Sequence, residues 1–418
     1  MKNNLTELVP LSTVADVIMG QSPKGDTYNK ASIGTPLLNG PTEFTDKHPQ
    51  KLQWTTSPTK LCQNNDVLLC VRGSSTGRIN ISNDEYCIGR GLAAIRNKSN
   101  FSQDFLIQCM QFHIDSIIRL ASGTTFPNLD RKTIASLLVP NLPIQEQQKI
   151  AEILSTVDKK IDLIDQKIAE TEKLKTGLMQ KLFSEGVGVQ DENGEWQPHT
   201  EFQDSPFGKI PKCWSVETLG EHTIKVGSGV TPKGGSKAYV DTGIPLIRSQ
   251  NVLFGKFKLD DVAFITEQQH EKMKGSQLQP KDVLLNITGA SIGRCAVLPA
   301  DFEEGNVNQH VCIIRMSQAI TPEFCGWFLN SNLGQKQIWN LQAGGNREGL
   351  NFQQIRSFRI PVLTVEEQCS IVDILSTVSD KLNLLEQQKV ETQQLKKGLM
   401  QKLLTGEWRV PVEETEAA

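Results

Sequence analysis

Apolar residues recur every three or four positions along two long stretches of this chain, and this spacing predicts two long helices. Over residues 146–182 the apolar positions follow a heptad repeat, which is typical of a coiled coil. One core position holds Ile150, Val157, Ile164, Thr171 and Leu178, and the other holds Leu154, Ile161, Ile168, Lys175 and Leu182. Polar Thr171 and Lys175 either fix the register of the pairing or are tolerated where the helices separate. The neighbouring Leu174 favours the second interpretation, because it indicates a local shift of the seam.

The second stretch is a copy of the first. Residues 367–403 align with residues 146–182 at a constant offset of 221, without a gap, and 21 of the 37 positions are identical. Two such helices on one chain can pair about a pseudo-two-fold axis and hold the segments that precede them symmetrically. We therefore expect a molecule with two heads.

The segments that precede the helices repeat more loosely. Asp66–Arg78 matches Asp282–Arg294 at an offset of 216, whereas Gly34–Leu38 matches residues 243–247 at an offset of 209. The changing offset indicates insertions within the heads, and the loop Asn39–Lys51 has diverged from its counterpart Arg248–Asp260. A fixed frame with divergent loops favours two different binding surfaces.

Each head is expected to be a mixed α/β domain. Short β-rich runs, such as residues 67–71 and 283–287, are separated by Gly, Asn, Ser and Pro, and helices are expected at 105–120 and 322–342. The fold class is therefore α+β, with two heads joined and spaced by the two helices. The expected organisation is a first head at 1–144, a helix at 145–183, an extended connector at 184–209, a second head at 210–361, a helix at 362–404 and an acidic tail at 405–418.

Composition narrows the class of protein. A chain of 418 residues can form two domains, and its nine cysteines, an odd number without a CxxC pair, fit a reducing cytoplasm. No run of apolar residues reaches the ~18 that span a membrane, and the first residues lack the apolar core of a signal peptide. The first head carries 14 basic and 11 acidic residues and the second 16 and 13, so each has a net charge of +3. This mild basicity is weak evidence for nucleic acid.

Catalytic and metal-binding patterns are missing from the sequence. Gly227–Pro232 does not complete a dinucleotide-binding GxGxxG motif, and Gly73–Arg78 lacks the lysine and spacing of a phosphate-binding P-loop. The six histidines form no HExxH motif, and we find no methyltransferase tetrapeptide of the Asn/Asp-Pro-Pro-aromatic kind. We expect no catalytic residue, no metal ligand and no cofactor in this chain.

Candidate DNA-binding residues lie in the duplicated turns and in polar loops. Arginines flank Gly/Ser-rich turns whose backbone amides suit phosphates, although pairing with local acids is an equal alternative. The polar loops carry side chains suited to base edges, although solvation alone also explains each of them. The set is Lys24, Asn39, Arg72, Arg78, Lys233, Arg248, Gln250, Asn251, Arg294 and Arg347.

The helices carry more apolar positions than one pairing seam uses. These surplus positions include Ile153, Leu163, Leu384 and Leu395. Such a surplus predicts a second buried face for another subunit.

Over its whole length the chain resembles the specificity subunits of type I restriction–modification enzymes. The resemblance rests on Pro140–Gln147 and Pro361–Gln368 before the helices, on the repeated ILSTV and GLMQKL segments, on Phe202–Trp214 and on the closing Thr405–Arg409. The Thr231-Pro232 turn of the second head belongs to the same set, whereas the first head has Gln21-Ser-Pro there.

This resemblance implies two target-recognition domains that each read half of a bipartite double-stranded DNA target. It further implies an antiparallel coiled coil that spaces them and docks two methylation subunits, which carry S-adenosylmethionine. Restriction subunits would supply ATP- and Mg-dependent translocation and cleavage, and no membrane would be involved. Two alternatives are a self-contained methyltransferase or nuclease and a structural coiled-coil adaptor.

Overall fold

The protein is described by a computed structural model that covers residues 7–121, 127–232, 234–342 and 349–411. The chain divides into two compact units, and each unit combines one head with portions of both long helices. Unit 1 comprises residues 1–166 and 386–418, and unit 2 comprises residues 167–385.

The first head is built from short strands and four helices, followed by the first long helix. Its strands are β1 (Leu8–Pro10), β2 (Ala15–Met19), β3 (Tyr28–Asn29), β4 (Thr35–Leu38), β5 (Trp54–Thr55), β6 (Leu61–Cys62), β7 (Val67–Cys70), β8 (Ile79–Ile81), β9 (Tyr86–Ile88), β10 (Leu92–Asn97) and β11 (Leu138–Pro140). Its helices are α1 (Leu11–Val14), α2 (Gln103–Phe112), α3 (Ile114–Ala121), α4 (Arg131–Ala135) and the long α5 (Ile144–Glu185).

The connector is not simply extended, as the sequence had suggested, because it forms two small antiparallel hairpins. Strand β12 (Val189–Gln190) pairs with β13 (Trp196–Gln197), and β14 (Phe202–Ser205) pairs with β15 (Gly208–Pro211). The second hairpin therefore ends at Pro211, whereas the second head was expected to begin at residue 210.

The second head has a similar, though not identical, order of elements. Its strands are β16 (Ser215–Thr218), β17 (Thr223–Ser228), β18 (Ile244–Ile247), β19 (Ala263–Ile265), β20 (Val283–Asn286), β21 (Cys295–Val297), β22 (Asn306–Val307), β23 (Val311–Met316) and β24 (Arg359–Val362). Its helices are α6 (Glu267–Lys272), α7 (Pro322–Asn330), α8 (Asn332–Gln342) and α9 (Phe352–Arg356), and the long α10 (Val365–Leu404) follows.

The sheets show that the frame is duplicated. The central sheet has the order β2-β10-β7-β8 in the first head and β17-β23-β20-β21 in the second, with antiparallel pairing throughout. In both heads a parallel pair, β4 with β9 and β18 with β22, belongs to a second sheet, which has five strands in the first head and three in the second. The strand that opens each head pairs with the strand before its long helix, β1 with β11 and β16 with β24.

Each expected helix of the heads is present but broken. The helix expected at 105–120 divides at His113 into α2 and α3, and the one at 322–342 divides at Ser331 into α7 and α8. The Ser331 backbone is extended, and its hydroxyl accepts a hydrogen bond from the Gly334 amide at 3.3 Å. A serine that caps a new helix in this way ends the old one.

Each unit has a core that includes residues from both long helices. In unit 1, Leu154 of α5 and Leu403 of α10 are buried with strand and helix residues of the first head. In unit 2, Phe183 of α5 packs against Phe324 and Phe328 of α7, with ring centroids 5.5 Å apart in each case. Packing of buried side chains between helix and head makes each unit a single packed body.

The two long helices pair in antiparallel fashion within each unit. In unit 1, Lys396 Nζ lies 2.7 Å from Asp158 Oδ1, and Lys389 Nζ lies 2.6 Å from Asp165 Oδ1. The residue number rises along one helix as it falls along the other, so the helices run in opposite directions. In unit 2, Lys175 Nζ lies 3.3 Å from Ser379 Oγ. The antiparallel coiled coil implied by the family resemblance is therefore present.

The heptad seam is confirmed without interruption. In α5 all ten predicted core positions from Ile150 to Leu182 are buried or half-buried, whereas Leu174 is 55% exposed. The interpretation that the seam shifts at Leu174 is therefore wrong. Lys175 stays on the seam because its ammonium group lies 4.9 Å from the Trp327 ring centroid and also contacts Ser379.

The second long helix begins three residues later than predicted. Pro361 and Val362 still pair with β16, so they are strand residues. The Thr364 hydroxyl then accepts the Glu367 amide at 3.3 Å, which fixes the first turn of α10.

Candidate nucleic-acid interface

The duplicated turns, residues 73–78 and 289–294, have the same backbone conformation in both heads. Gly73 and Gly289 have φ values of +78° and +68°, and four residues later Gly77 and Gly293 have values of +92° and +86°. These left-handed conformations suit glycine because a Cβ atom is disfavoured there. At Gly77 an added Cβ would also lie 2.6 Å from Ile118.

The backbone amides of these turns are largely occupied, which corrects their expected role as phosphate ligands. In the first head the amides of Gly73, Thr76, Gly77 and Arg78 all donate to backbone carbonyls at 2.9–3.1 Å. In the second head those of residues 292–294 do the same at 2.9–3.2 Å. A donor that is satisfied within the protein is not offered to a ligand, so these turns contribute side chains rather than an amide cradle.

The arginines beside the turns have different surroundings. Arg72 is exposed and Arg294 half-exposed, and neither makes a side-chain hydrogen bond or ion pair with any described residue. Arg78 instead donates to the Phe44 carbonyl at 3.3 Å and lies 5.9 Å from the Phe44 ring centroid. None of the three pairs with a local acid within the described chain, and a phosphate-binding role for Arg72 and Arg294 stays a prediction.

In both heads the divergent loop lies at the same place on the frame. We call residues 39–51 loop 1 and residues 248–260 loop 2. Each loop folds back through one antiparallel bridge, Phe44 with Pro49 in loop 1 and Val252 with Phe257 in loop 2. The loops are therefore closed structures on a shared frame, although their sequences differ.

The candidate residues of loop 2 divide into exposed and buried ones. Gln250 is exposed and donates to the Asp261 carbonyl at 3.1 Å. Arg248 is half-buried, donates to the same carbonyl at 2.9 Å and lies 5.8 Å from the Tyr239 ring centroid. Asn251 is fully buried, so the prediction that it contacts base edges is wrong.

The buried Asn251 side chain holds loop 2 together. Its Nδ2 donates to the carbonyls of Lys258 at 3.1 Å and Asp260 at 3.2 Å, and its Oδ1 accepts the Arg248 amide at 3.0 Å. Burial of a polar side chain is stable when its hydrogen bonds are made internally. A polar residue in a loop looks the same in sequence whether it points outward or inward, and this explains the error.

Four candidate DNA-binding residues remain, two in each head. Lys24 is exposed, directly before the short turn Gly25–Thr27. Asn39 is half-buried and donates to Gln53 Oε1 at 3.0 Å. Lys233 and Arg347, both predicted to contact DNA in the second head, lie outside the described residues.

One exposed side chain of loop 2 was not predicted. Phe254 is 55% exposed at the tip of the loop, where the Leu253 amide donates to the Lys256 carbonyl at 2.9 Å. An exposed aromatic ring can stack on or wedge against a base. Phe254 is not polar and so falls outside a prediction based on polar side chains, but an apolar residue between turn residues marks it in the sequence.

The surplus apolar positions of the helices are exposed with one exception. Leu163 and Leu384 are both 50% exposed, and Leu395 is 54% exposed. Ile153 is half-buried and packs against the core of unit 1, so it is not part of a surplus face.

A cluster of possible metal ligands occurs once within the described residues and is already satisfied. The side chains of Glu217, Glu221 and His222 lie close together. The Glu217 carboxylate accepts hydrogen bonds from Ser215 at 2.6 Å and from His222 at 2.8 Å, and these bonds lower its pKa. Glu221 accepts the Thr218 amide at 2.9 Å. The cluster is accounted for as the cap of a short turn.

The family model for the type I restriction modification DNA specificity domain matches residues 5–173 and 211–394. The chain belongs to this family, so it is a specificity subunit of a type I restriction–modification system. It is 27% identical over 410 residues to the type I restriction enzyme MjaVIII specificity subunit of Methanocaldococcus jannaschii, which covers 97% of this chain and 93% of the relative. The EcoBI specificity subunit of Escherichia coli is 23% identical over 87% of this chain and 77% of its own length.

A solved structure confirms the fold. The crystal structure of the S subunit of a type I system from M. genitalium superposes with a TM-score of 0.60 over 97% of both chains, at 17% identity. Within the described residues, no helix is both long and apolar enough to cross a membrane.

Proposed function

We propose that each head binds one half of a bipartite double-stranded DNA target and that the paired helices set the spacing and dock two methylation subunits. The observation that carries this proposal is a duplicated frame that presents two different loops. One frame used twice suits one kind of ligand, and divergent loops suit two different sequences of that ligand.

The exposed candidates have complementary roles in this proposal. Arg72, Arg294 and Lys24 suit phosphate contacts, which give affinity without sequence preference. Loop 2 with Gln250, and loop 1 in the other head, suit base edges, which give sequence preference. A net charge of +3 on each head attracts the DNA backbone.

We further propose that the chain catalyses no reaction itself. Methylation subunits would carry S-adenosylmethionine, restriction subunits would use ATP and Mg, and the complex would act in the cytoplasm. The proposal draws on the family membership and on the missing catalytic motifs of the sequence.

The test exchanges residues 1–140 for the same region of a relative and then sequences the methylated sites of a host that carries the complex. We expect one half of the target to change and the other half and the spacer to stay, because only one head is replaced. Exchange of residues 210–361 should change the opposite half. If either exchange altered both halves together, the modular function would be wrong.

A second arm tests the absence of catalysis. The pure chain is incubated with duplex DNA and labelled S-adenosylmethionine, with and without the methylation subunit. We expect transfer of label only when the methylation subunit is present.

A further inference from the structure

In each head a buried asparagine side chain of the central sheet is hydrogen-bonded to the backbone of the divergent loop. We infer that Asn80 in the first head and Asn286 in the second are positioning residues for sequence recognition, which hold loop 1 and loop 2 in the conformation that reads DNA. This inference rests on the proposed function and adds to it residues that do not touch DNA.

In the second head the anchor is Asn286, the last residue of β20. Its side chain is fully buried, and Nδ2 donates to the carbonyls of Ser249 at 2.9 Å and Val252 at 3.2 Å. Ser249 is the first residue of the short turn near the start of loop 2, and Val252 directly follows that turn. One amide group therefore fixes this turn to the sheet, directly before the exposed tip at Phe254.

In the first head the anchor is Asn80 in β8. Its side chain is 2% exposed, and Nδ2 donates to the Thr45 carbonyl of loop 1 at 2.8 Å. Three further hydrogen bonds join the loop to β8 and the residue before it. Arg78 donates to the Phe44 carbonyl at 3.3 Å, the Ile81 amide donates to the Lys47 carbonyl at 3.0 Å, and His48 Nδ1 donates to the Ile81 carbonyl at 2.9 Å.

The two anchors are not copies of one ancestral residue. At the offset of 216 that relates the central strands, Asn80 corresponds to Ala296 and Asn286 corresponds to Cys70. Each head therefore carries its asparagine on a different strand, and the other head has a small residue at the matching place. Asparagines at two non-equivalent positions both hydrogen-bond to the divergent loop. This indicates that the attachment of the loop to the sheet is the property required of these positions.

The hydrogen bonding of both side chains supports a role in holding the loop rather than in stabilising the core. In each, the Oδ1 atom is buried and has no hydrogen-bond partner among the described residues. A buried acceptor left unsatisfied lowers stability. The benefit of an asparagine at these positions therefore lies in what its Nδ2 holds.

The test replaces each anchor by the residue that the other head carries at the matching place, Asn286→Cys and Asn80→Ala. Both replacements suit a buried strand of this frame. Asn330→Cys is the matched control, because Asn330 Nδ2 also donates to two carbonyls, of Cys295 and Gly326 at 2.9 Å each, and its Oδ1 is also buried and unsatisfied. These contacts tie α7 to β21. The Cys295 carbonyl also accepts the Gly255 amide of loop 2 at 2.8 Å, and this backbone hydrogen bond does not depend on the Asn330 side chain.

Each variant is assembled with its partner subunits, and methylation is measured on the cognate target and on targets with one changed base in either half. For Asn286→Cys we expect about a tenfold lower preference for the cognate second half-site, with the first unchanged, since a good base contact discriminates by roughly this factor or more. Asn80→Ala should lower the preference for the cognate sequence only at the first half-site. Asn330→Cys should lower the melting temperature of the chain without altering either preference.

The inference is overturned if Asn286→Cys keeps full selectivity at both half-sites, or if it and Asn330→Cys reduce methylation of all targets in the same proportion. The head exchange distinguishes this failure from a failure of the proposed function. Exchanged heads would still transfer a half-site if only the inference were wrong.

Discussion

The same buried contacts join the strands of the central sheet in both heads, whereas different contacts hold the divergent loops. Asp66 accepts two hydrogen bonds from Arg96 at 2.6–2.8 Å, and Asp282 accepts two from Arg315 at 2.7–2.8 Å. Both aspartates are almost fully buried, and both pairs tie neighbouring strands of the central sheet. The loops depend instead on Asn80 and Asn286, which do not correspond.

A second shared contact joins each long helix to its head. Gln147 and Gln368, at equivalent positions, are fully buried and accept the amides of Ser102 and Thr321 at 2.8 Å. Ser102 and Thr321 are the N-caps of α2 and α7. A buried pair constrains both of its members, because loss of either leaves the other unsatisfied. Exposed side chains of the loops escape this constraint, and the comparison shows that the two heads share a frame where its hydrogen bonds are buried.

Glu367 and Glu146 are equivalent residues of the frame with unequal surroundings. Substitutions at these two residues are expected to have the largest effect on the free energy of unfolding. Glu367 accepts hydrogen bonds from Trp214 Nε1 at 2.9 Å, from His199 at 2.9 Å and from the amides of residues 187 and 188. Glu146 accepts two from Arg409, at 2.6–2.7 Å, and the Val410 amide at 3.2 Å.

We expect Glu367→Ala to lower the free energy of unfolding by about 3–5 kcal/mol, because it leaves several buried donors without an acceptor. Glu146→Ala should cost less, about 1–3 kcal/mol, because Arg409 is 49% exposed and can return to water. Denaturant unfolding of both variants measures the difference. Glu366→Ala, at an exposed neighbouring position, is the control, and equal losses for the two buried glutamates would contradict the comparison.

The same contacts predict an acid dependence for unit 1. The hydrogen bonds from Arg409 hold the pKa of the Glu146 carboxyl below its ordinary value of 4.5. A lowered folded-state pKa gives stability that is present above pH 4.5 and is lost as the pH falls toward the lowered value. Glu146→Gln should therefore flatten the acid side of the stability profile.

The exposed leucines of the helices test whether the symmetry of the frame extends to its partners. Leu163 and Leu384 are equivalent and equally exposed, so each should form part of one docking site. We expect Leu163→Glu or Leu384→Glu to lower the binding affinity for one of two methylation subunits on the order of tenfold. The double variant should lower the affinity for both. Native mass spectrometry of the complexes counts the bound subunits.

The control for this experiment is Val390→Glu. Val390 is 51% exposed on the same helix as Leu384. The two residues are six positions apart, so their side chains point about 120° apart around the helix axis. Val390→Glu should leave both subunits bound. Retention of two subunits by the double leucine variant would mean that docking uses another surface.

The length of the paired helices gives the smallest expected effect, a change of spacing without a change of affinity. Because Lys175 faces Ser379 in an antiparallel pair, an insertion after Thr171 keeps the register only when it is matched by one after Asn383. Four residues add about 6 Å to a helix, or one to two base pairs of DNA at ~3.4 Å each. Methylated sites of the paired-insertion variant should therefore keep both half-sites and have a longer spacer.

An insertion after Thr171 alone is the comparison. It moves Lys175 away from Ser379 and Trp327, so we expect a lower melting temperature than for the paired insertion. An unchanged spacer in a fully active paired variant would mean that the helices do not set the spacing.

Much of the frame could be predicted from the sequence because it depends on periodicity and repetition. The seam positions follow from a heptad that is buried along its whole length, and the two-headed organisation follows from the repeat. The polar seam residue Lys175 was misread, because its partner Trp327 comes from a distant helix. The inward orientation of Asn251 and the occupied amides of the 73–78 turn depend on three-dimensional contacts that no local pattern encodes.

The different continuity of the two units has a consequence for synthesis of the chain. Unit 2 is one continuous segment, residues 167–385, whereas unit 1 needs residues 386 onward to complete its core and to supply Arg409 to Glu146. A growing chain emerges from its N-terminus, and domains fold as their residues become available. The head that is made first is therefore completed last. During that interval its helix face, including Leu154, stays uncovered, and the synthesis of residues 386–411 decides when the first head matures.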